Sequence, residues 1–86
     1  MYAAVANVTI NDNEAATSAL HSQVVPQIKA APGFVAGYWV EFERNRGTAV
    51  LVFETEEAAR GAAQAPSPGD FITFDSIEVG EVVANA

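Results

Sequence analysis

The spacing of apolar residues changes from two to about four and back along this chain, and each change predicts a new element. The run Tyr2–Ile10 is rich in Val, Thr and Ile, which predicts a first strand. Asn11 is the predicted N-cap of a helix over residues 12–31, because Glu14 follows at the capping-box spacing. Pro26 removes a backbone donor, so we expect a kink or break in the turn before it. The predicted buried stripe of this helix is Ala16, Leu20, Val24, Ile28 and Ala31.

A hairpin is predicted after this helix. Ala31-Pro32-Gly33 ends the helix, because Pro cannot continue it and Gly accepts a left-handed conformation. Alternation over residues 34–43 then divides a second strand into two faces. One face carries Phe34, Ala36, Tyr38, Val40 and Phe42, and the other carries Val35, Gly37, Trp39, Glu41 and Glu43. A turn at Asn45-Arg46-Gly47 leads into a third strand over residues 48–54, which is apolar on both faces.

The last third of the chain predicts a short helix and a final strand. Thr55 is the predicted N-cap of a helix over residues 56–65, which has acidic residues in its first turn. A loop over residues 65–70 follows, and the last strand is placed at about residues 76–83. An apolar patch within or after the loop consists of Phe71, Ile72 and Phe74, which predicts either a mobile lid or a plug for one end of the domain.

The order strand, helix, strand, strand, helix, strand predicts a ferredoxin-like α+β fold in one domain over residues 1–86. Two helices then cover one face of a four-stranded antiparallel sheet and leave the other face open. Because the third strand and much of the second are apolar on both faces, we expect a homodimer through the open sheet face. The alternative is a single domain with an exposed apolar patch.

Charge and cysteine content narrow the classes of partner. The 86 residues carry a formal net charge of −7, with four scattered basic residues against eleven acidic ones. This balance predicts no binding of nucleic acid or of a membrane surface. The lack of cysteine excludes disulfides and thiolate metal sites. We expect no signal peptide and no membrane span, and therefore a cytoplasmic protein.

Several motifs carry a family resemblance. The run APGFVAGYW over residues 31–39, the strand VLVF over residues 50–53 and the helix start TEEAAR over residues 55–60 resemble the antibiotic-biosynthesis-monooxygenase-like group of small dimeric α/β-barrel proteins. The resemblance implies a ferredoxin-like protomer, a dimeric barrel and a pocket between sheet and helices. Some members are cofactor-free oxygenases of polycyclic phenols or quinol precursors. Others degrade haem with an Asn on strand 1 and a Trp and a His on helix 2, of which this chain matches only Asn7.

The candidate site residues each have a structural alternative. Asn7 is polar within an apolar strand, so it either binds a ligand or bonds its neighbours. Tyr38 and Trp39 point to opposite faces of the second strand. Such an aromatic residue either forms a stacking wall for an aromatic ligand or packs in the core or at an interface. His21 is the one histidine, and it is either an acid–base group or a surface residue. No spacing predicts a metal site. The proposed ligand site is Asn7, Tyr38, Trp39, Phe71 and Phe74, with Asn7 and His21 as catalytic candidates.

Two functions remain open at this point. The first is a cofactor-independent oxygenase that takes a small aromatic or polycyclic substrate, whose own electrons activate oxygen. The second is a non-catalytic dimeric domain that binds a small apolar ligand or a partner protein. The small number of acid–base residues favours the second, and the family resemblance favours the first.

Overall fold

The computed structural model describes residues 1–64 and 69–86. Its strands are β1 (Tyr2–Ile10), β2 (Phe34–Phe42), β3 (Arg46–Phe53) and β4 (Ile72–Glu81). Its helical segments are α1 (Asn13–Ala19), a π-helical segment (Leu20–Val24), α2 (Val25–Lys29) and α3 (Glu56–Ala63). The first three helical segments are continuous, and together they are called the first helix below.

The predicted ferredoxin-like α+β fold is confirmed. The four strands form one sheet in the order β2-β3-β1-β4, with every neighbouring pair antiparallel. Consecutive β2 and β3 form a hairpin, whereas β1 lies between β3 and β4 and is paired on both sides. This arrangement leaves β2 and β4 as the sheet edges.

The helices cover one face of the sheet, which we call the helix face. Ala4, Phe53 and Ala59 are buried there, and the Phe53 side chain has no exposed surface. Phe34 packs edge-on against Phe53, with ring centroids 5.9 Å apart. The core is therefore built from one aromatic pair and several alanines, and small residues on both layers let α3 approach the sheet closely.

The first helix is interrupted where Pro26 predicted an irregularity. The backbone widens into a π-helical segment over Leu20–Val24, and the N–H of Val25 donates to the carbonyl of Leu20. Pro26 has no N–H to give to Ser22, so the regular bonding pattern fails at this turn. Wider π-helical bonding lets the helix continue without a break.

The N-cap prediction for the first helix is wrong by one residue. Asp12 takes this position, and its side chain accepts a hydrogen bond from the N–H of Ala15 at 3.1 Å. The side chain of Asn11 instead donates hydrogen bonds to the carbonyl of Asp70 and to the hydroxyl of Thr73 at the start of β4. The predicted cap of α3 is confirmed, because the Thr55 hydroxyl accepts from the N–H of Ala58 at 3.1 Å.

The hairpin turn lies earlier than predicted. Positive φ values occur at Arg44 and Asn45, at 64° and 58°, and strand β3 already begins at Arg46. Gly47 is thus a buried strand residue, where a β-carbon would lie 3.2 Å from the carbonyl oxygen of Val40. Glycine serves close packing at this position and plays no part in the turn.

Two further strand predictions need correction. β4 starts at Ile72 and includes Phe74, so most of the predicted apolar patch belongs to a strand. In β2 the register shifts between Phe34 and Ala36, and this irregularity turns Phe34 toward Phe53 on the helix face. Strict alternation instead predicts Phe34 on the same face of the strand as Tyr38. The predicted helix end at residue 65 and most of the predicted loop lie outside the described residues.

No helix within the described residues is long and apolar enough to cross a membrane.

Candidate functional site

A cavity separates the first helix from the sheet. Helix α3 packs closely on β1, β3 and β4, whereas the backbone of the first helix approaches the sheet at only a few points. The space between them has a volume of about 540 Å³. Small-molecule sites in proteins commonly measure about 300–1,000 Å³, so the cavity is of the size that holds one small ligand.

The cavity wall is mainly apolar. The first helix contributes its predicted buried stripe, Ala16, Leu20, Val24 and Ile28. Residues of β1 and β3 that point to the helix face form the opposite wall, among them Ala6, Val8, Ala49 and Leu51. Ala62 and Ala63 of α3 close one side. The small side chains of this wall leave the space that larger residues would fill.

Trp39 forms the aromatic part of the wall, and its position depends on a glycine. A β-carbon at Gly37 would lie 3.0 Å from Cη2 and 3.1 Å from Cζ3 of the Trp39 ring. The indole therefore extends along its own strand over Gly37. Trp39 lines the cavity, where its aromatic ring is available to contact a planar ligand.

One charged side chain lines the cavity within the described residues. Glu41 lies two positions after Trp39 on the same face of β2, and Oε2 of its carboxylate accepts a hydrogen bond from Nδ2 of Asn13 at 2.8 Å. Asn13 is the first residue of α1. This bond joins the start of the first helix to β2 at the cavity rim, and both side chains remain exposed to solvent.

Phe71 borders the cavity from the chain that leads into β4, and Asn11 holds this chain in place. The carbonyl of Phe71 accepts hydrogen bonds from the N–H groups of Asn11 at 2.7 Å and of Asp12 at 3.2 Å. Nδ2 of Asn11 donates to the carbonyl of Asp70 at 3.0 Å and to the Thr73 hydroxyl at 2.9 Å. These four bonds make Phe71 a fixed wall of the cavity.

The structure brings together three of the five predicted ligand residues. Trp39, Phe71 and Phe74 all line the cavity. Asn7 and Tyr38 lie on the other face of the sheet, because each stands between residues that point to the helix face. His21 is exposed on the π-helical segment. Asn7 and His21, the two catalytic candidates, are therefore separated by the sheet.

Asn7 has hydrogen-bond partners within the sheet. Its Oδ1 accepts from the Thr48 hydroxyl at 2.7 Å, and its Nδ2 donates to the Ser76 hydroxyl at 3.0 Å. Thr48 and Ser76 are its partners in β3 and β4. The amide thus bridges three strands across the open face, which is the structural role that the sequence offered as an alternative.

The open face of the sheet carries an exposed apolar stripe. Tyr38, Val40 and Phe42 follow one another at every second position of β2, and 64%, 45% and 48% of their respective surfaces are accessible. β4 presents polar side chains on the same face, among them Ser76, which bonds Asn7. Apolar exposure is thus concentrated on the β2 side of the open face.

Sequence reasoning missed Glu41 and Asn13 as cavity residues. Alternation places Glu41 on the same strand face as Trp39, but alternation does not show whether the helices cover that face. Its pairing with Asn13 joins residues 28 positions apart, which no local spacing reveals. Within residues 1–64 and 69–86, no group of three or more His, Cys, Asp or Glu side chains is placed to hold a metal ion.

Comparison of the chain with protein-family models and with curated proteins gives no match.

Proposed function

We propose that this protein binds a small planar apolar ligand in the cavity between the sheet and the first helix. The observation that carries the proposal is the cavity itself, about 540 Å³ in volume, with a mainly apolar wall that includes Trp39. Burial of an apolar ligand yields about 25 cal/mol for each Å² removed from water. A ligand here needs few polar contacts to bind.

The test uses naphthalene and 1-naphthol as probes and the indole N–H resonance of Trp39 as the reporter. The chain contains one tryptophan, so this resonance needs no assignment. Both probes are expected to shift it in a saturable way. Ala16→Phe fills the cavity from the first helix and should abolish the shift. Ser18→Phe adds the same ring at an exposed position of α1 and should leave the shift intact. Equal binding by both variants would reject the cavity as the site.

We further propose a homodimer through the open sheet face. The apolar stripe of Tyr38, Val40 and Phe42 supports this, because a second copy can cover it by two-fold packing. The cavity lies mainly on the other side of the sheet from this stripe, and Val40 of the edge strand borders both. Dimerisation and ligand binding therefore use largely different surfaces of one protomer. A cytoplasmic location remains a prediction of the sequence.

A second candidate function is a cofactor-independent oxygenase of a phenolic substrate, as the family resemblance implies. One observation favours it, the Glu41 carboxylate in the wall of an apolar cavity. The carboxylate would accept the phenol proton, and the phenolate would supply electrons to O₂. One phenol and one O₂ then give one quinone and one water. Here the protein contributes desolvation, orientation and a proton acceptor.

Oxygen uptake separates the two functions. The oxygenase is supported if a phenolic probe binds to the protein and is consumed together with an equal amount of O₂. Glu41→Gln should then abolish this consumption. Glu43→Gln, in the exposed hairpin turn, is the matched control and should retain full uptake. Binding without oxygen uptake rejects the oxygenase and leaves ligand binding as the function.

A further inference from the structure

We infer that Glu41 selects ligands by their head group, so that the cavity takes aromatic molecules bearing a hydrogen-bond donor, above all a protonated amine, and rejects anionic ones. This inference rests on the proposed ligand binding and specifies its ligand class. It follows from the position of one carboxylate, the orientation given to it by Asn13 and the charge of the chain.

The position of the carboxylate matches the length of an aromatic ligand. Trp39 and Glu41 are two residues apart on one face of β2, a separation of about 7 Å along a strand. The indole itself extends over Gly37, away from Glu41, so an aromatic ring reaches the carboxylate from the space over Ala49 and Gly47, which pair with Trp39 and Glu41 and also line the cavity. The apolar wall of Leu51 and Ala49 continues in the other direction, away from the carboxylate.

Asn13 orients the carboxylate and leaves one of its oxygens for a ligand. Its Nδ2 donates to Oε2 of Glu41 at 2.8 Å, which favours one orientation of the carboxylate at the cavity rim. Oε1 has no hydrogen-bond partner among the described residues. An ionised carboxylate oxygen only accepts hydrogen bonds. The complementary head group is therefore a donor, and a second carboxylate at this position would be repelled.

The other residues around the cavity strengthen this preference. No lysine, arginine or histidine lines the cavity within the described part of the chain, so an anionic head group finds no positive partner there. The formal net charge of −7 also disfavours the approach of anions. Apart from Asn13, the remaining polar residues that line the cavity are Thr17, Gln23, Gln27 and Thr48, and all of them are uncharged.

The experiment compares four naphthalene probes by calorimetry and by the Trp39 indole resonance. They are naphthalene, 1-naphthol, 1-naphthylmethylamine as the cation, and 1-naphthoate as the anion. We expect the cation to bind best, then naphthol, then naphthalene, with naphthoate weakest. Because Glu41 is exposed, the cation should bind roughly two- to fivefold more tightly than naphthalene, and added salt should reduce the difference.

Three variants assign this preference to Glu41. Glu41→Gln should bring the cation and the anion to equal affinity while naphthalene binds as before. Asn13→Ala should reduce the difference in affinity between the cation and naphthalene, because the carboxylate loses the hydrogen bond that orients it. Glu43→Gln removes a nearby charge outside the cavity and should change nothing.

The outcomes separate the two proposals. If all four probes bind equally, or if Glu41→Gln keeps the order of affinities, the role of Glu41 is wrong while the cavity still binds ligand. If no probe moves the Trp39 resonance, or if Ala16→Phe leaves binding intact, the proposed function itself fails.

Discussion

The indole of Trp39 lies directly over Gly37, with ring atoms 3.0 and 3.1 Å from the place where a β-carbon would stand. Gly37→Ala should push the ring toward the cavity, since Leu51 Cδ2 at 3.2 Å closes the same space. We expect a shifted indole resonance and weaker probe binding, with a loss of stability of about 1 kcal/mol.

Gly80→Ala is the control for this substitution. A β-carbon at Gly80 would meet no atom of the described residues within 4 Å beyond its chain neighbours. The indole resonance should remain unchanged in this variant. An identical indole resonance in the Gly37 and Gly80 variants would show that Gly37 does not position Trp39.

Gly61 in α3 offers a stabilising substitution. A β-carbon there would lie in open space among the described residues, so Gly61→Ala gains helix propensity without a clash. The expected gain is up to about 1 kcal/mol in the free energy of unfolding, measured with urea.

Gly33→Ala is the opposite case, because Gly33 has a φ of +76°. It should cost about 1–2 kcal/mol, and stabilisation by both variants would contradict the backbone argument.

Asn7→Ala tests whether the amide that joins three strands is structural. The variant loses its two hydrogen bonds, to Thr48 and to Ser76, and both bonds are exposed to solvent. We therefore expect the free energy of unfolding to fall by about 0.5–1.5 kcal/mol. Probe affinity should not change, because Asn7 lies on the open face. Thr48→Val removes one of the two bonds and should cost less. Loss of probe binding or of oxygen uptake with intact folding would assign Asn7 to the site.

Asn11→Ala should loosen the wall that Phe71 forms. The variant loses the side-chain bonds to the carbonyl of Asp70 and to the Thr73 hydroxyl, while the two backbone bonds to the Phe71 carbonyl remain. We expect faster hydrogen exchange at residues 70–73, about 1–2 kcal/mol lower stability and weaker probe binding. Asn85→Ala, in the exposed C-terminal tail, is the matched control. Unchanged exchange at residues 70–73 would rule out this role of Asn11.

Tyr38→Glu should separate the proposed dimer into monomers. Tyr38 is the most exposed residue of the apolar stripe, and a charge there would be buried against the second copy. Light scattering at increasing protein concentration should give twice the monomer mass for the wild type and the monomer mass for the variant. Ser18→Glu adds the same charge on the exposed side of α1 and should leave the dimer intact. A wild type that is monomeric at every concentration tested contradicts the dimer.

Part of the candidate site could be predicted from the sequence. Trp39 and Phe71 are aromatic residues among small ones, and the stripe from Ala16 to Ile28 has helical spacing, so their apolar roles follow from local pattern. Asn7 and Glu41 could not be assigned in the same way. Which face of a strand the helices cover is a property of the whole sheet, and alternation alone only divides a strand into two faces.

The amino-acid sequence is sufficient to predict the order of the elements, the first strand from Tyr2 to Ile10, the cap at Thr55 and the irregularity before Pro26, because each depends on residues close in the chain. Three other features are visible only in the folded protein: the register shift that turns Phe34 inward, the bond from Asn13 to Glu41 and the space beneath the first helix. These features join residues that are distant in sequence. They arise when α3 packs closely on the sheet while the first helix stands away from it, a balance of side-chain volumes that no local spacing contains.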